Sequence, residues 1–232
     1  GLNSPLTDIF VAHYNTDGTI MWAKRAGGTD YDFGVATTTL SDDSTVVTGS
    51  FSDSATFGKG ESAETILVSD GSTDIFVAHY NTDGTIMWAK RAGGTSGDVG
   101  QGIVTLSDDS TIVIGSFSDS ATFGKGESAE TILVSDGSTD IFVAHYNTDG
   151  TIMWAKRAGG TSGDVGQGIV TLSDDSTIVI GSFSDSATFG KGESAETILV
   201  SDGSTDIFVA HYNTDGTIMW AKRAGGTSKD VG

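Results

Sequence analysis

The sequence predicts an all-β protein, and three features predict this class: an internal repeat, β-branched and aromatic runs bounded by turn residues, and frequent glycines. The segment at residues 7–14 recurs from Thr73, Thr139 and Thr205, so the 232 residues hold three and a half copies of a 66-residue unit. Apolar residues do not recur at three and four positions, and 33 glycines interrupt nearly every long stretch. No helix is therefore expected.

The copies are almost identical. Between residues 91–166 and 157–232 the only substitution is Gly163 to Lys229. The first copy differs more, and the differing positions are Asp30, Tyr31, Phe33, Val35, Ala36, Thr37, Thr38, Val46 and Thr48. This uniformity indicates recent amplification or deliberate design, and it means that a site present once is present three or four times.

Each unit predicts two hairpins. Residues 74–81 and 85–92 are β-branched and aromatic runs joined by the turn sequence Asn-Thr-Asp-Gly at 81–84. Residues 103–107 and 111–117 form the second hairpin over residues 108–110, and residues 121–124 and 131–135 predict two short strands in the connection. The unit therefore holds at least four strands.

The predicted strands are apolar on both faces. In residues 75–80, one face carries Ile75, Val77 and His79 and the other carries Phe76, Ala78 and Tyr80. A sheet with one solvated face alternates apolar and polar residues more cleanly. Sheets covered on both faces are typical of a β-propeller, in which each four-stranded blade packs between two neighbours. A β-solenoid or a string of small sandwiches is the alternative.

The blade assignment leaves a half-unit over. From axis to rim, strands A to D are predicted at residues 103–107, 111–117, 140–147 and 151–158. Residues 1–33 are then an orphan C–D hairpin and linker, and residues 34–99, 100–165 and 166–232 are three blade repeats. Propellers have typically 4–8 blades, so three cannot close a ring. Closure by oligomerisation is therefore expected.

One repeat family has a similar pattern. Residues 74–90, Gly93-Gly94, residues 102–104 and residues 112–117 resemble the bacterial SBBP-type β-propeller repeats. His79 stands where the family usually has Lys, and Asp108-Asp109-Ser110 replaces a turn that contains Gly. The resemblance implies a propeller without common catalytic residues. It also implies an extracellular or cell-surface location, which nothing else in the sequence indicates.

The composition excludes several partners and sites. The chain has 12 basic and 31 acidic residues, a formal net charge of −19 and a pI near 4.2, which argues against nucleic-acid binding. No apolar run approaches the roughly 20 residues of a membrane span, so no membrane insertion is expected. The absence of cysteine excludes disulfides and thiolate metal sites.

No residue is assigned as catalytic, cofactor-binding or metal-binding. The histidines occur once per copy on a predicted C strand and are interpreted as packed or rim residues rather than a metal ring: His13, His79, His145 and His211. The Asn-Thr-Asp-Gly segments at 15–18, 81–84, 147–150 and 213–216 resemble part of a calcium loop but lack its closing Glu, so they are interpreted as turns.

The glycine-rich stretch and the acidic loops are also interpreted as structural features. The glycine-rich stretch at 93–102 lacks the Lys-Ser/Thr ending of a phosphate loop and is interpreted as a turn between blades. Acidic residues in the loops of one unit, Asp108, Asp109, Asp119, Glu127, Glu130 and Asp136, are interpreted as solubility charge. Weak Ca²⁺ binding by these loops is the alternative, and no cofactor is expected.

The function predicted from these patterns is non-catalytic. We expect a structural repeat propeller that oligomerises through blade packing, its partner being itself. Two chains supply about seven repeat units, which suggests a seven-unit dimer, while a six-bladed dimer and a head-to-tail assembly are the alternatives. A multivalent surface propeller that binds a glycan or protein ligand is the alternative function.

Overall fold

The computed structural model describes residues 6–232, and these residues form antiparallel strands. The strands in chain order are β1 (Ile9–Tyr14), β2 (Ile20–Gly28), β3 (Asp32–Thr39), β4 (Thr45–Phe57), β5 (Thr65–Tyr80), β6 (Ile86–Gly93), β7 (Val99–Thr105), β8 (Thr111–Phe123), β9 (Thr131–Tyr146), β10 (Ile152–Gly159), β11 (Val165–Thr171), β12 (Thr177–Phe189), β13 (Thr197–Tyr212) and β14 (Ile218–Ala224). In this part of the chain no helix is long and apolar enough to cross a membrane. The all-β prediction is confirmed.

Three four-stranded units follow the initial hairpin. Within the first unit β3 pairs with β4, β4 with β5, and β5 with β6, and the next two units repeat this order. The predicted A–B–C–D strand order is therefore present. The A strands begin at Asp32, Val99 and Val165, and β1–β2 is a C–D hairpin for which the described residues include no A and B strands of its own.

The outer part of each unit differs from the prediction. Residues 121–124 and 131–135 are not separate short strands, because they continue β8 and β9 into one long hairpin. The two halves of β8 are separated by a bulge at Asp119, whose positive φ of 57° interrupts the period-two pattern. Because of the bulge, the sequence pattern predicts two strands where the structure has one continuous strand.

Neighbouring units also share hydrogen bonds at the rim. The end of each D strand pairs with the outer end of the next B strand, as in Ala92 with Phe123 and Gly93 with Thr122. The same pairing joins β2 to β4 and β10 to β12. All fourteen strands of the described residues therefore belong to one unclosed sheet.

The core lies between successive units. Val46, Ile75 and Val77 of the first unit pack in one cluster with Phe117 and Phe142 of the second. Ile114 and Ile141 of the second unit pack in the same way against the third. The middle sheet thus buries both faces, one against the preceding unit and one against the next, as the two-sided apolar pattern predicts.

Substitutions in the linker between units test how tightly this packing constrains the backbone. A Cβ at Gly160 would lie 1.9 Å from the backbone oxygen of Ser186, whereas a Cβ at Gly163 would meet no atom within 4 Å. We expect Gly160→Ala to lower the free energy of unfolding by about 1–3 kcal/mol, the usual cost of forcing atoms into a packed site.

The matched control for this prediction is Gly163→Ala in the same linker. The last copy carries Lys229 at that position, so a side chain is expected to be tolerated there. Urea denaturation followed by tryptophan fluorescence measures both variants. Equal midpoints for the two would contradict the packing of Gly160 against Ser186.

Candidate interaction surfaces

The contacts between successive units repeat along the array. The indole N–H of Trp22 donates to the carbonyl oxygen of Thr82 at 2.9 Å, and Trp88 donates to that of Thr148 at 3.1 Å. Near the A strands, the backbone N–H of Ser41 donates to Asp109 at 2.8 Å, as Ser107 does to Asp175 at 2.9 Å. A unit therefore presents one set of groups to the unit before it and a different set to the unit after it.

The β1–β2 hairpin lacks the partner strands that its later copies have. Phe10 is 79% exposed, whereas Phe76, Phe142 and Phe208 at the same repeat position are 0% exposed. Tyr14 and Ile20 are likewise exposed although their counterparts in the three complete units are buried. The residues around these positions are identical, so the missing neighbour strands cause the exposure.

A groove of about 580 Å³ occupies the place of those missing strands. Ile9, Val11, Phe33, Val35 and Val47 contribute its apolar wall. Phe33 is larger than its counterpart Val99, and Val35 is more apolar than its counterpart Gln101, whereas Thr37 of the same groove is less apolar than Ile103.

The other end of the array exposes a different face. Leu172 and Ile180 are exposed, while Leu106 and Ile114 at the same position one unit earlier are buried against the third unit. Val170 is exposed as well. Both outer faces of the described units therefore carry apolar surface.

Buried carboxylates accept hydrogen bonds from backbone N–H groups in the linkers between units. The N–H of Gly94 donates to Asp98 Oδ2 at 2.8 Å, and the N–H of Ser118 donates to Asp98 Oδ1 at 3.1 Å. Asp164 accepts the equivalent bonds from Gly160 and Ser184. Burial raises the pKa of Asp98 and of Asp164 to about 7.

A second acidic residue lies beside each of these carboxylates. Asp74 is fully buried, and its Oδ2 accepts a bond from Arg91 at 2.6 Å and one from the N–H of Asp70 at 3.0 Å. Asp74 Oδ1 has no hydrogen-bond partner among the described residues. Burial raises the pKa of Asp74 although Arg91 opposes the shift, and the charge of Asp74 contributes to the raised pKa of Asp98.

These carboxylates are not among the acidic residues singled out in the sequence, which lie in the loops at 108–136 and are interpreted as solubility charge. Asp32, Asp74, Asp98, Asp140, Asp164 and Asp206 are all fully buried. The available signal was their recurrence at two repeat positions, of which the one at Asp32, Asp98 and Asp164 lies in the glycine-rich linker, since a buried carboxylate needs backbone N–H donors and a tight turn supplies them.

The histidines are packed within the sheets. The His79 ring meets Trp88 edge-on at 5.6 Å, and its Nε2 forms a 2.8 Å hydrogen bond with Ser44 Oγ. His145 has the same two partners one repeat later, Trp154 and Ser110. Burial lowers the pKa of His79 and of His145. Across residues 6–232 no group of three or more His, Asp or Glu side chains is arranged to hold a metal ion.

The other segments singled out in the sequence have local structural roles. The Asn-Thr-Asp-Gly segments form hairpin turns, with φ near +80° at each glycine. Several acidic loop residues are engaged: Asp109 with Ser41, Asp119 with Ser96, Glu127 with Lys90, and Asp136 with Arg157 and Lys191. Residues 93–102 join β6 to β7 and hold Asp98, so they form the linker between units.

Comparison with known proteins supports the architecture at a coarse level. No family model matches the chain, so the SBBP-type assignment stays a prediction. An uncharacterized WD repeat-containing protein, L264 of Acanthamoeba polyphaga mimivirus, is 24% identical over 241 residues, which cover 94% of this chain. The match covers 17% of that relative's own length. Together with the unclosed antiparallel sheet, this similarity is consistent with a repeat protein of the β-propeller type.

Proposed function

We propose that this chain is a non-catalytic repeat scaffold that associates with copies of itself through its two open ends. The observation that carries this proposal is the exposure of Phe10, 79% against 0% at the three equivalent positions. An apolar surface of this kind marks an interaction site, because water contact with it is unfavourable and burial stabilises the complex.

The two ends favour a head-to-tail arrangement. The first end offers a hairpin without its A and B strands, and the last end offers the outer face of a complete unit. Unlike surfaces make heterologous contacts, which form rings when the rotation closes. A seven-unit dimer would instead join two like hairpins, and it leaves the face around Leu172 without an equivalent partner.

The charge of the chain opposes association. Each copy carries a net charge of −19, so an assembly carries a multiple of it. Salt screens such repulsion over a Debye length of about 10 Å at 0.1 M. The proposal therefore includes stronger association at higher ionic strength.

Multivalent glycan binding receives no support from the repeat positions. Its usual requirement is an aromatic platform open to solvent, and the exposed aromatic side chains among the described residues are Phe10, Tyr14, Tyr31, Phe33 and Trp220. These lie in the first copy or the last hairpin, so they do not form a site that each repeat contributes.

Sedimentation velocity over a range of protein and salt concentrations tests the proposal. We expect the wild-type chain to form oligomers and Phe10→Asp to weaken association at least tenfold, because a carboxylate replaces an apolar contact. The matched control is Met21→Asp on the same hairpin. Met21 is exposed, as Met87, Met153 and Met219 are, so the next unit does not cover this position. A monomeric wild-type chain at all concentrations, or equal effects of the two variants, would overturn the proposal.

A further inference from the structure

The hairpin at residues 7–28 and the hairpin at residues 205–226 have the same sequence. The second hairpin contains the end of β13 from Thr205 together with β14, and it completes the last unit, where this part of β13 pairs with β12 over eight positions from Thr177 with Tyr212 to Ser184 with Thr205. The first hairpin has the same side chains but, among the described residues, β1 pairs only with β2. The hairpin at residues 7–28 therefore has the side chains needed to bind where the hairpin at residues 205–226 binds, beside β12.

We infer that chains join by hairpin exchange: β1–β2 of one copy takes the place of β13–β14 on the β11–β12 hairpin of a second copy. This inference rests on the proposed self-association and specifies its contact. The free edge of β1 would pair with β12 as β5 pairs with β4, β9 with β8 and β13 with β12. The interface is thus one that the molecule already forms three times.

The exchanged contact covers the groove of one copy and the outer face of the other, and it leaves residues 205–226 of the second copy without a B strand. The β11–β12 hairpin occupies the place of the groove beside β1 and covers Phe10, as Phe57 and Phe123 lie against Phe76 and Phe142 within complete units. It also brings β11 of one copy against β3 of the other, as β7 lies against β3. In this position Ser173 meets Asp43 of the partner subunit in the way that Ser41 meets Asp109.

If two copies stack end to end without exchanging hairpins, fewer of the exposed groups find partners. A complete last unit placed against the first end would cover some apolar side chains but would leave the N–H and C=O groups on the β1 edge without a strand. Exchange replaces one hairpin by an identical one at the same site, so the pairing energy of the hairpins cancels. The contact between the last unit of one copy and the first unit of the next is then gained.

Because the chain has no cysteine, engineered thiols test this pairing directly. In the last unit Ser184 Oγ lies 3.1 Å from Thr205 Oγ1, and Thr7 is the copy of Thr205 in the first hairpin. A mixture of Thr7→Cys chains and Ser184→Cys chains is oxidised, and exchange predicts a disulfide-linked pair of chains. A single chain with Ser184→Cys and Thr205→Cys is the control for the reach of the two thiols.

Limited trypsin digestion gives an independent readout from the same repeated hairpin. Without exchange, Arg25 is 67% exposed and Arg223 is 33% exposed at the same repeat position. Exchange reverses this difference, since it covers the first hairpin and releases the last. Cleavage should therefore move from residues 24–25 toward residues 222–223 as the protein concentration rises.

The outcomes separate the two proposals. Linked chains, together with the shift of cleavage toward residues 222–223, support exchange. Oligomers in sedimentation whose cleavage stays at residues 24–25 overturn exchange and leave self-association standing. A monomer at every concentration overturns both.

Discussion

Replacing Phe142 by alanine is expected to lower the free energy of unfolding by about 3–5 kcal/mol, the range measured for buried aromatic truncations. Phe142 is fully buried and its ring lies 5.0 Å from that of Phe123. It belongs to the cluster that joins the first unit to the second, so its loss weakens an interface between units as well as one sheet. Urea denaturation at low protein concentration measures the effect.

Phe10→Ala is the matched control for this prediction. Phe10 has the same neighbours in sequence but is exposed in the single chain, so its truncation should change unfolding by less than about 0.5 kcal/mol. The comparison holds the local sequence constant and changes only the surrounding strands. Similar losses for the two variants would contradict the difference in burial between the two ends of the array.

The comparison of Phe10 with Phe142 also shows which features the sequence can predict. The A–B–C–D order and the burial of both faces depend on local patterns, such as the alternation in residues 75–80 and the turn residues after it. The order is confirmed, and so is the burial of both faces in the middle unit, whereas its A strand begins at Val99 and not at residue 103. A burial pattern, however, assumes that neighbours exist on both sides, and the first hairpin repeats the pattern without those neighbours.

Other features depend on contacts between distant residues, which local patterns do not report. The sequence predicts separate short strands at residues 121–124 and 131–135 because the bulge at Asp119, which has a positive φ, interrupts the alternating pattern. The pairing of Ala92 with Phe123 can be predicted only if the position of the next unit is known. The role of Asp98 depends on an N–H donor twenty residues away at Ser118, so its carboxylate looks like ordinary surface charge in the sequence.

The free energy of unfolding is expected to fall as the pH rises from about 4 to about 7. Over this window Asp98 and Asp164, with pKa values of about 7, hold a proton in the folded protein, whereas the unfolded chain, with a value near 3.8, has released it. A folded state that binds more protons is stabilised by acid. Each such group contributes up to about 1.4 kcal/mol per pH unit.

Other titratable groups also shape the pH profile. Burial lowers the pKa of His79 and His145, so their contribution rises with pH below about 6.5 and opposes that of the aspartates. Hydrogen bonds from Arg157 and Lys191 lower the pKa of Asp136 to about 2, so its contribution is lost as the pH falls below about 4. Burial also raises the pKa of Asp32, Asp74 and Asp140, so these carboxyl groups add to the slope just above pH 3.8. The slope from Asp98 and Asp164 is therefore measured as the difference from a variant that lacks the two groups.

Urea midpoints across this range, compared between the wild-type chain and the Asp98→Asn, Asp164→Asn double variant, isolate the two carboxyl groups. The amide has nearly the same shape and still accepts the N–H of Ser118 or Ser184, but it does not titrate, so the variant should lose most of the slope. Asp230→Asn is the matched control, because Asp230 occupies the same repeat position but is only half-buried at the end of the chain. A slope that survives in the double variant would show that other groups hold the protons and that Asp98 and Asp164 are ionised in the folded protein, and an equal loss of slope in the control would contradict the assignment of the slope to these two groups.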